Sequence, residues 1–308
     1  MIKKLSEIVD EIKKEAVAKG KKKRLAVAAG EDPHTIEAVA KSVKEELVDA
    51  ILVGNKKNIE KVAKEYNINP SILTIIEEPD PVKATKKAVK LVREGEAEVL
   101  MKGLVDTAIY MKAILDKQEG LLPPGKLLTH VTLMEFPTYH KLLLVCDVAI
   151  IIQPTLEQKV QMIKYTIDIA KKLGIEKPKV AVISAVEKVN LKMPSSIEAA
   201  VLKTMGERGQ FGDAHVDGPL ALDVAVSKEC ASIKKLKGSP VAGDADILIF
   251  PNIEAGNIFF KTGTQLAKAK LAAIVVGALA PCVLTSRADT EESKFYSIAL
   301  ATLISERR

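Results

Sequence analysis

Residues 24–54 read RLAVAAGEDPHTIEAVAKSVKEELVDAILVG. A short aliphatic run, Leu25–Ala29, ends in the turn sequence AGEDP, and a helix-forming stretch, Pro33–Glu46, then leads to a second aliphatic run, Ile51–Val53. Strands that alternate with helices in this way predict βαβ units, and such units build a mostly parallel sheet. The stretch therefore predicts an α/β fold.

The same alternation continues along the chain. It predicts further strands at Leu73–Ile76, Glu98–Met101, Val148–Ile152, Lys179–Ser184, Asp246–Phe250, Ala273–Val276 and Val283–Thr285. It predicts further helices at Lys56–Tyr66, Pro81–Glu94, Val105–Lys117, Leu156–Leu173, Ser195–Gly206 and Ile258–Lys270, and a last helix from Thr290. Near the N-terminus, Leu5, Ile8 and Ile12 recur at helical spacing, which predicts an amphipathic surface helix.

One segment departs from this alternation. Two strand-like runs, Thr129–Phe136 and Lys141–Val145, are separated by a short loop, which predicts a β-hairpin. The preceding stretch GLLPPGK, Gly120–Lys126, is typical of a linker. A chain of 308 residues is long enough for two domains. We expect one α/β domain at 1–128 plus 271–308 and a second at 129–270, with a cleft between them.

Composition excludes several classes of protein. The net charge of +6 is compatible with anionic ligands, but the basic runs are isolated, aromatic residues make up 4% and tryptophan is absent, which argues against nucleic-acid binding. The N-terminus is too charged for a signal peptide, and the apolar run Leu142–Ile152, broken by Asp147, is too short to span a bilayer. The three cysteines and four histidines form no metal-binding or redox motif. We expect a cytoplasmic protein without a membrane partner.

Ligands of parallel α/β sheets bind beyond the carboxyl ends of the strands, so the strand-to-helix turns are candidate sites. The sequence contains neither GxGxxG nor GxxxxGK[ST], which argues against dinucleotide and P-loop sites. In LMKGLVDT, Lys102 and Gly103 directly follow a strand, where a lysine either contacts an anion or faces water. In PNIEAGN, Gly256 frees the backbone and Asn257 can cap the next helix, whose N–H groups favour a phosphate or thioester oxygen. A plain capped helix is the alternative.

Two further turns carry polar side chains. In LTSRADTEES, Arg287 offers a planar charged fork for phosphate, and Ser286 either binds an anion or closes the turn. Asp289 and Glu292 have capping-box spacing, so an N-cap is the alternative role of Asp289. In VDGPLALD, Asp217 is an acid–base candidate, although aspartates in such turns more often accept from local backbone donors. Asp-Gly-Pro itself predicts a turn before a helix.

The motifs VDGPLALD, DADILIFPNIEAGN and VLTSRAD together resemble the phosphate acetyl/butyryltransferases. The AGEDP turn, the MKG loop and the hairpin fall in the order expected of that family, so the resemblance covers nearly the whole chain. MKGLVDT, KVNLKMPSS and LTSRAD are more similar to the butyryl enzymes, since the acetyl enzymes usually carry a serine at the position of Lys102.

The resemblance implies a two-domain fold similar to the isocitrate and isopropylmalate dehydrogenases, a catalytic cleft and a homo-oligomer. Ser286 and Arg287 match the family's catalytic serine–arginine pair, and Lys112 falls where the acetyl enzymes place a substrate-binding arginine. The acetyl enzymes also carry a catalytic aspartate seven positions after the serine. Ser293 occupies that position here, which leaves Asp289 as a candidate for the base.

The resemblance further implies acyl-CoA and inorganic phosphate as substrates, without a tightly bound cofactor or a metal, and a carboxylate kinase that uses the acyl phosphate. The predicted substrate-binding residues are Lys102, Gly103, Lys112, Glu254, Gly256, Asn257 and Asp217. Phosphate acetyltransferase is the alternative function. A hydroxy-acid dehydrogenase on the same fold would need an arginine-rich substrate helix and clustered metal aspartates, neither of which is evident. The intact SRAD and AGN loops argue against a non-catalytic CoA-binding protein.

Overall fold

A computed structural model of the chain describes residues 1–236, 238–284 and 289–306. The strands are β1 Lys23–Ala28, β2 Val48–Gly54, β3 Thr74–Glu77, β4 Val99–Lys102, β5 Thr129–Glu135, β6 Leu143–Cys146, β7 Lys179–Ile183, β8 His215–Leu220, β9 Ile247–Ile249, β10 Lys270–Val276 and β11 Cys282–Val283. The helices are α1 Leu5–Lys19, α2 Pro33–Lys44, α3 Lys56–Glu65, α4 Pro81–Arg93, α5 Thr107–Ile114, α6 Leu156–Lys172, α7 Pro194–Glu207, α8 Leu222–Val226, α9 Lys228–Ile233, α10 Ile253–Gln265 and α11 Glu291–Ile304. None of the described helices is both long and apolar enough to span a membrane.

The chain forms two compact units. The first unit contains Leu5–Leu128 and the chain from Ala272 onward, and the second contains Met1–Lys4 and Thr129–Leu271. The first four residues join the second unit, where Ile2 N–H donates to Leu173 O at 2.9 Å.

The sheet of the first unit has the strand order β3-β2-β1-β4-β11-β10. Its strands β3, β2, β1, β4 and β11 run parallel, and β10 is antiparallel to β11. The helix α11 has a buried, mostly apolar sequence, as expected of a helix enclosed on most sides. Lys23 is buried and donates from Nζ to Thr302 O at 2.6 Å and to Ser305 O at 2.7 Å, which places a positive charge at the negative end of the α11 dipole.

The sheet of the second unit has the strand order β5-β6-β9-β7-β8. The strands β6, β9, β7 and β8 are parallel, while β5 and β6 form the predicted antiparallel hairpin, with Val131 opposite Cys146. The carboxyl end of β6 therefore lies beside the beginning of β5. One face of this sheet packs into a core that includes Met134, Leu248 and Phe250.

Three expectations about the second unit are wrong. Val148–Ile152 is not a strand, because Asp147 Oδ1 accepts from Ala149 N and Ile150 N and holds the backbone in a turn. The helix expected at Ile258–Lys270 spans Ile253–Gln265 instead. The Asp-Gly-Pro sequence lies within β8, where Asp217 pairs with Ala181 of β7, and it is not a turn.

Candidate active site

The strands β1, β4 and β11 of the first unit end side by side, which brings the turns after β1 and β4 together. Gly103 N donates to Ala28 O at 2.8 Å, and Leu104 N donates to Ala29 O at 2.6 Å. A Cβ atom at Gly103 would lie 2.2 Å from Ala29 O, so any side chain there would force the two turns apart. The AGEDP and MKG motifs therefore meet at the edge of the sheet where ligands of parallel sheets bind.

Lys102, the last residue of β4, places an amino group at this edge. The residue is 7% exposed, and its Nζ donates to Val105 O at 3.0 Å and to Gly103 O at 3.3 Å. These carbonyl oxygens orient the amino group close to the strand end. A lysine in this position can serve as a compact point charge for an anionic oxygen.

A partly buried ion pair joins the AGEDP turn to the first turn of α11. Asp32 caps α2 by accepting from Thr35 N at 2.8 Å, and it also accepts from Lys294 Nζ at 2.9 Å. Burial opposes the ionisation of Asp32, but the hydrogen bonds from Thr35 and Lys294 outweigh it and hold the pKa of Asp32 below its usual value. The pair fixes the start of α11, which follows the SRAD motif in sequence.

Thr290 is the N-cap of α11, since its Oγ1 accepts from Ser293 N at 3.2 Å. The interpretation of Asp289 as the N-cap, with Glu292 completing a capping box, is therefore wrong, and Asp289 precedes the cap. Ser286 and Arg287 lie outside the described residues.

Lys112 occupies a different part of the first unit. It lies in the last turn of α5, is exposed, and lines a cavity of about 280 Å³ together with Val82, Lys86 and Ile109. The cavity combines an apolar floor from α4 and α5 with two amino groups. Lys102 lies at the strand end and Lys112 in this cavity, so the two predicted substrate-binding lysines occupy distinct surroundings.

In the second unit, the segment after β6 and the start of α10 meet at Gly256. A Cβ atom at Gly256 would lie 2.1 Å from Asp147 O, so this helical position requires glycine. Asp147 is buried, and its carboxylate accepts from Thr129 Oγ1, His130 N, Ala149 N and Ile150 N at 2.7–2.8 Å. The carboxylate thereby holds the carboxyl end of β6 against the beginning of β5.

Asn252 is the residue that caps α10, through a hydrogen bond from Ala255 N to its Oδ1 at 3.0 Å. The predicted capping role of Asn257 is wrong, because Asn257 lies within the helix and donates from Nδ2 to Val148 O at 2.9 Å. Glu254 is exposed in the first turn. Glu254, Gly256 and Asn257 are thus brought together at the carboxyl edge of the second unit's sheet.

Asp217 is not grouped with these residues. It lies midway along β8 and is 6% exposed, and its carboxylate accepts from Lys203 Nζ at 2.9 Å, from Gly218 N at 2.8 Å and from Ser239 Oγ. Side chains of Lys203, His215 and Ser239 line a polar cavity of about 440 Å³ beside it. These contacts give Asp217 local partners along the edge strand.

Sequence reasoning did not single out Asp147 or the pair Asp32–Lys294. Asp147 leaves a recognisable signal, because a lone carboxylate interrupts an otherwise apolar run at the end of a strand. Lys294 leaves none, since a lysine in an amphipathic or buried helix reads as an ordinary surface residue until its partner is known. Its burial at 2% becomes visible in the structure alone.

The buried thiols are poor nucleophiles. Burial raises the pKa of Cys282 to about 12 and raises the pKa of Cys146 well above its usual value, so both thiols stay protonated. Within residues 1–236, 238–284 and 289–306, no three histidine, cysteine, aspartate or glutamate side chains cluster in a way that could hold a metal ion.

The chain matches the family model described as "Phosphate acetyl/butaryl transferase" over residues 7–83 and 77–302. The chain is 44% identical to a phosphate butyryltransferase from Clostridium acetobutylicum over 304 residues, which cover 99% of both chains. It is 47% identical to a phosphate acetyltransferase from Thermotoga maritima over 287 residues, which cover 93% of this chain and 97% of the relative.

Comparison with solved structures agrees with the family match. A branched-chain phosphotransacylase from Enterococcus faecalis V583 matches with a TM-score of 0.82 and 33% identity, covering 92% of this chain and 99% of the other. A 4-hydroxythreonine-4-phosphate dehydrogenase from Klebsiella pneumoniae matches with a TM-score of 0.57 and 15% identity, covering 92% and 98%, which is a likeness of fold alone. The expected α/β fold, similar to that of a dehydrogenase, is confirmed.

Proposed function

Because the chain belongs to the phosphate acetyl/butyryltransferase family, we propose that it transfers a butanoyl group reversibly between CoA and inorganic phosphate. The products of the forward reaction are butanoyl phosphate and free CoA. Relatives named for the butyryl and for the acetyl group both match over nearly the whole chain. Overall sequence identity therefore supports the phosphate acyltransferase class, and the preferred acyl group has to be inferred from particular residues.

Lys102 is the residue that favours a butyryl enzyme over an acetyl enzyme. The acetyl enzymes resembled by this sequence usually have serine at this position. Here a lysine at the end of β4 is held by Val105 O and Gly103 O at the edge where the two turns meet. A lysine amino group in place of a hydroxyl changes how an anionic substrate is bound, because it can add a point charge to a site of low dielectric.

The proposed chemistry is direct attack of a phosphate oxygen on the thioester carbonyl carbon in a ternary complex. Arg287 orients the phosphate and stabilises the oxyanion, together with Ser286 and backbone N–H groups. Lys102, Gly103 and Lys112 are the substrate-binding candidates of the first unit. Glu254, Gly256 and Asn257 are those of the second, where the N-terminus of α10 favours an anionic or thioester oxygen. Asp217 is omitted from this set because Lys203 and Ser239 already bind it.

This scheme uses CoA and phosphate as substrates and proceeds without a covalent enzyme intermediate, a tightly bound cofactor or a metal. We further propose a cytoplasmic homo-oligomer whose acyl phosphate is passed to a carboxylate kinase. The net charge of +6 suits the anionic substrates.

The test is release of free thiol from acyl-CoA esters of two to five carbons, with and without phosphate. Release is expected to require phosphate, and kcat/KM is expected to be higher for butanoyl-CoA than for acetyl-CoA. Each added methylene supplies about 1–3 kcal/mol of discrimination in a fitted pocket, so a difference of at least ~10-fold is expected. If none of the esters releases thiol in a phosphate-dependent way, the proposed acyltransferase function is wrong. If kcat/KM is higher for acetyl-CoA than for butanoyl-CoA, the chain is instead a phosphate acetyltransferase.

A further inference from the structure

The AGEDP turn, residues 29–33, carries two carboxylates, and both accept hydrogen bonds from protein groups. Glu31 Oε1 accepts at 2.6 Å from the N–H of Asn55, the first residue after β2. Asp32 Oδ2 accepts from Thr35 N at 2.8 Å, from Thr35 Oγ1 at 2.6 Å and from Lys294 Nζ at 2.9 Å. The motif is therefore better suited to holding neighbouring segments in place than to binding a substrate with its own carboxylates.

The turn contacts three segments at the carboxyl edge of the first unit's sheet. Ala29 O accepts from Leu104 N at 2.6 Å, which ties the turn to the MKG motif. Glu31 ties it to the end of β2, and Asp32 ties it to α11. The contact with α11 bears on the SRAD motif, because α11 begins directly after that motif in sequence.

Burial makes the contact with α11 a strong constraint. The side chain of Lys294 is 2% exposed and that of Asp32 is 16% exposed. A buried ammonium group without a partner is costly, so the place of Lys294 depends on the carboxylate. A second ion pair between α2 and α11, Lys41 with Glu291 at 3.1 Å, has side chains that are 43% and 35% exposed, and such surface pairs contribute little. The Asp32–Lys294 pair therefore constrains the start of α11 more strongly.

The start of α11 is close in sequence to the arginine expected to bind phosphate. Arg287 precedes the helix cap Thr290 by three residues, and three residues of chain reach at most ~11 Å. On the other side of the motif, Val283 of β11 pairs with Met101 of β4. The chain that carries Arg287 is thus anchored by the sheet at one end and by α11 at the other. A displacement of the first turn of α11 would change the positions that the guanidinium can reach.

We propose that Asp32 and Lys294 are positioning residues for phosphate, because their ion pair holds the first turn of α11 where Arg287 can bind this substrate. The assignment rests on the proposed acyltransferase function, in which Arg287 orients phosphate. Neither Asp32 nor Lys294 touches the reacting atoms in this scheme. Their loss should therefore weaken the use of phosphate and leave the binding of the CoA ester unchanged.

The experiment measures thiol release from butanoyl-CoA, first with phosphate varied and then with butanoyl-CoA varied. The variants are Asp32→Asn, which keeps an oxygen to cap α2 and removes the charge, and Lys294→Met, which removes the other charge. Misplacement of an orienting group by about 1 Å can cost ~100-fold, so both variants are expected to raise KM for phosphate by about 10-fold or more and to leave KM for butanoyl-CoA within about twofold.

The matched control is Asp80→Asn, which makes the same change at the cap of another helix of the first unit. Asp80 caps α4 by accepting from Val82 N and Lys83 N, both at 2.9 Å, and it is exposed. Asp80→Asn is expected to keep the wild-type KM for both substrates. An equal rise of KM for phosphate in Asp80→Asn and Asp32→Asn would overturn the assignment.

The double variant Asp32→Asn/Lys294→Met separates positioning from stability. Each single variant leaves one charge without its partner, whereas the double variant leaves neither, so its urea midpoint is expected to return close to that of the wild type. Its KM for phosphate is expected to stay raised, because the link between the AGEDP turn and α11 is still missing. A double variant with the wild-type KM for phosphate would show that the pair serves stability alone and would overturn the assignment, even if the single variants did not fold.

A folded Asp32→Asn enzyme with the wild-type KM for phosphate would also overturn it, and so would an equal rise of KM for both substrates. The wild-type assay separates this proposal from the proposed function. An inactive wild type removes the acyltransferase function itself. An active wild type together with single variants that use phosphate equally well removes the positioning role of Asp32 and Lys294 alone.

Discussion

At the scale of single residues, the proposed reaction depends most on Arg287, the guanidinium expected to orient phosphate and to stabilise the oxyanion. Arg287→Gln removes the charge and keeps a side chain of similar reach. Loss of one oriented donor in an oxyanion site typically costs about 100-fold or more in kcat, and that is the loss we expect in thiol release from butanoyl-CoA. Arg208→Gln, which changes an exposed arginine at the end of α7, is the matched control. Near-normal turnover of a folded Arg287→Gln enzyme would exclude the catalytic role.

Substitution of Asp289 tests whether this residue is the general base, because Thr290 and not Asp289 caps α11. Asp289→Asn should therefore leave the N-cap of α11 intact, whereas Thr290→Ala should cost about 1 kcal/mol. If Asp289 were the base, its amide would reduce the rate from acyl phosphate and CoA by ~10²–10⁴-fold. The rate is measured across pH, and a change within a few-fold would exclude Asp289 as the base. A large loss at an unchanged melting temperature would instead assign the base to Asp289.

At the scale of elements, the contact between α10 and the end of β6 depends on the absence of a side chain at Gly256. Gly256→Ala would place a Cβ atom 2.1 Å from Asp147 O, a backbone atom that cannot turn aside. Overpacking of this kind costs about 1–3 kcal/mol, more than alanine gains in a helix interior. We expect a lower urea midpoint at an unchanged m-value. Because the same helix carries the candidate substrate-binding residues Glu254 and Asn257, turnover should fall as well.

The control for this prediction lies in the same helix. Ile258 is 67% exposed, so Ile258→Ala should change stability by no more than about 0.5 kcal/mol. Equal stabilities of Gly256→Ala and Ile258→Ala would show that the β6 end and α10 can separate without cost, against the packing described here.

The elements also show what sequence can and cannot predict. The spacing of the hydrophobic residues and the positions of the turn residues correctly predicted α2, the β5–β6 hairpin and α11, because each of these elements has a strong local signal. The start of α10 was missed because Gly256 reads as a loop residue, whereas the close approach of Asp147 O is what requires glycine at this helical position. The sequence Asp-Gly-Pro reads as a turn, yet pairing with β7 places it in β8. In both cases a contact distant in sequence overrides the local preference.

At the scale of the whole molecule, the sequence predicted some residues of the candidate site and missed others, for the same reason. Segments that connect a strand to a helix are visible in sequence, and Lys102, Gly103 and Gly256 lie within or next to such segments. The buried partners that fix them, Asp147 and Lys294, come from other parts of the chain and have no local motif. Acyl preference is also not decided by global similarity, since the butyryl and acetyl relatives are 44% and 47% identical.

Stability in acid is a property of the whole chain that one cluster should influence strongly. At the amino ends of the second unit's strands, Asp244 accepts from His140 Nε2 at 2.8 Å, and it pairs with Lys141 Nζ at 3.1 Å and with Lys179 Nζ at 2.5 Å. Partial burial opposes its ionisation, but the hydrogen bonds from Lys179, Lys141 and His140 outweigh it and hold the pKa of Asp244 well below its usual value.

A carboxylate with a lowered folded-state pKa stabilises the protein at pH values above its unfolded pKa of ~3.9, and that contribution is lost as pH falls through ~4 and below. Asp244→Asn should therefore cost about 2–3 kcal/mol at pH 7, where charged hydrogen bonds are lost, and should make the free energy of unfolding depend less on pH between ~5 and ~3. Urea unfolding at several pH values measures both effects. Asp213→Asn, which removes an exposed carboxylate of the same unit, should retain the wild-type pH dependence. If Asp244→Asn and the wild type lost stability in parallel over this range, the acid sensitivity would have to arise elsewhere in the chain.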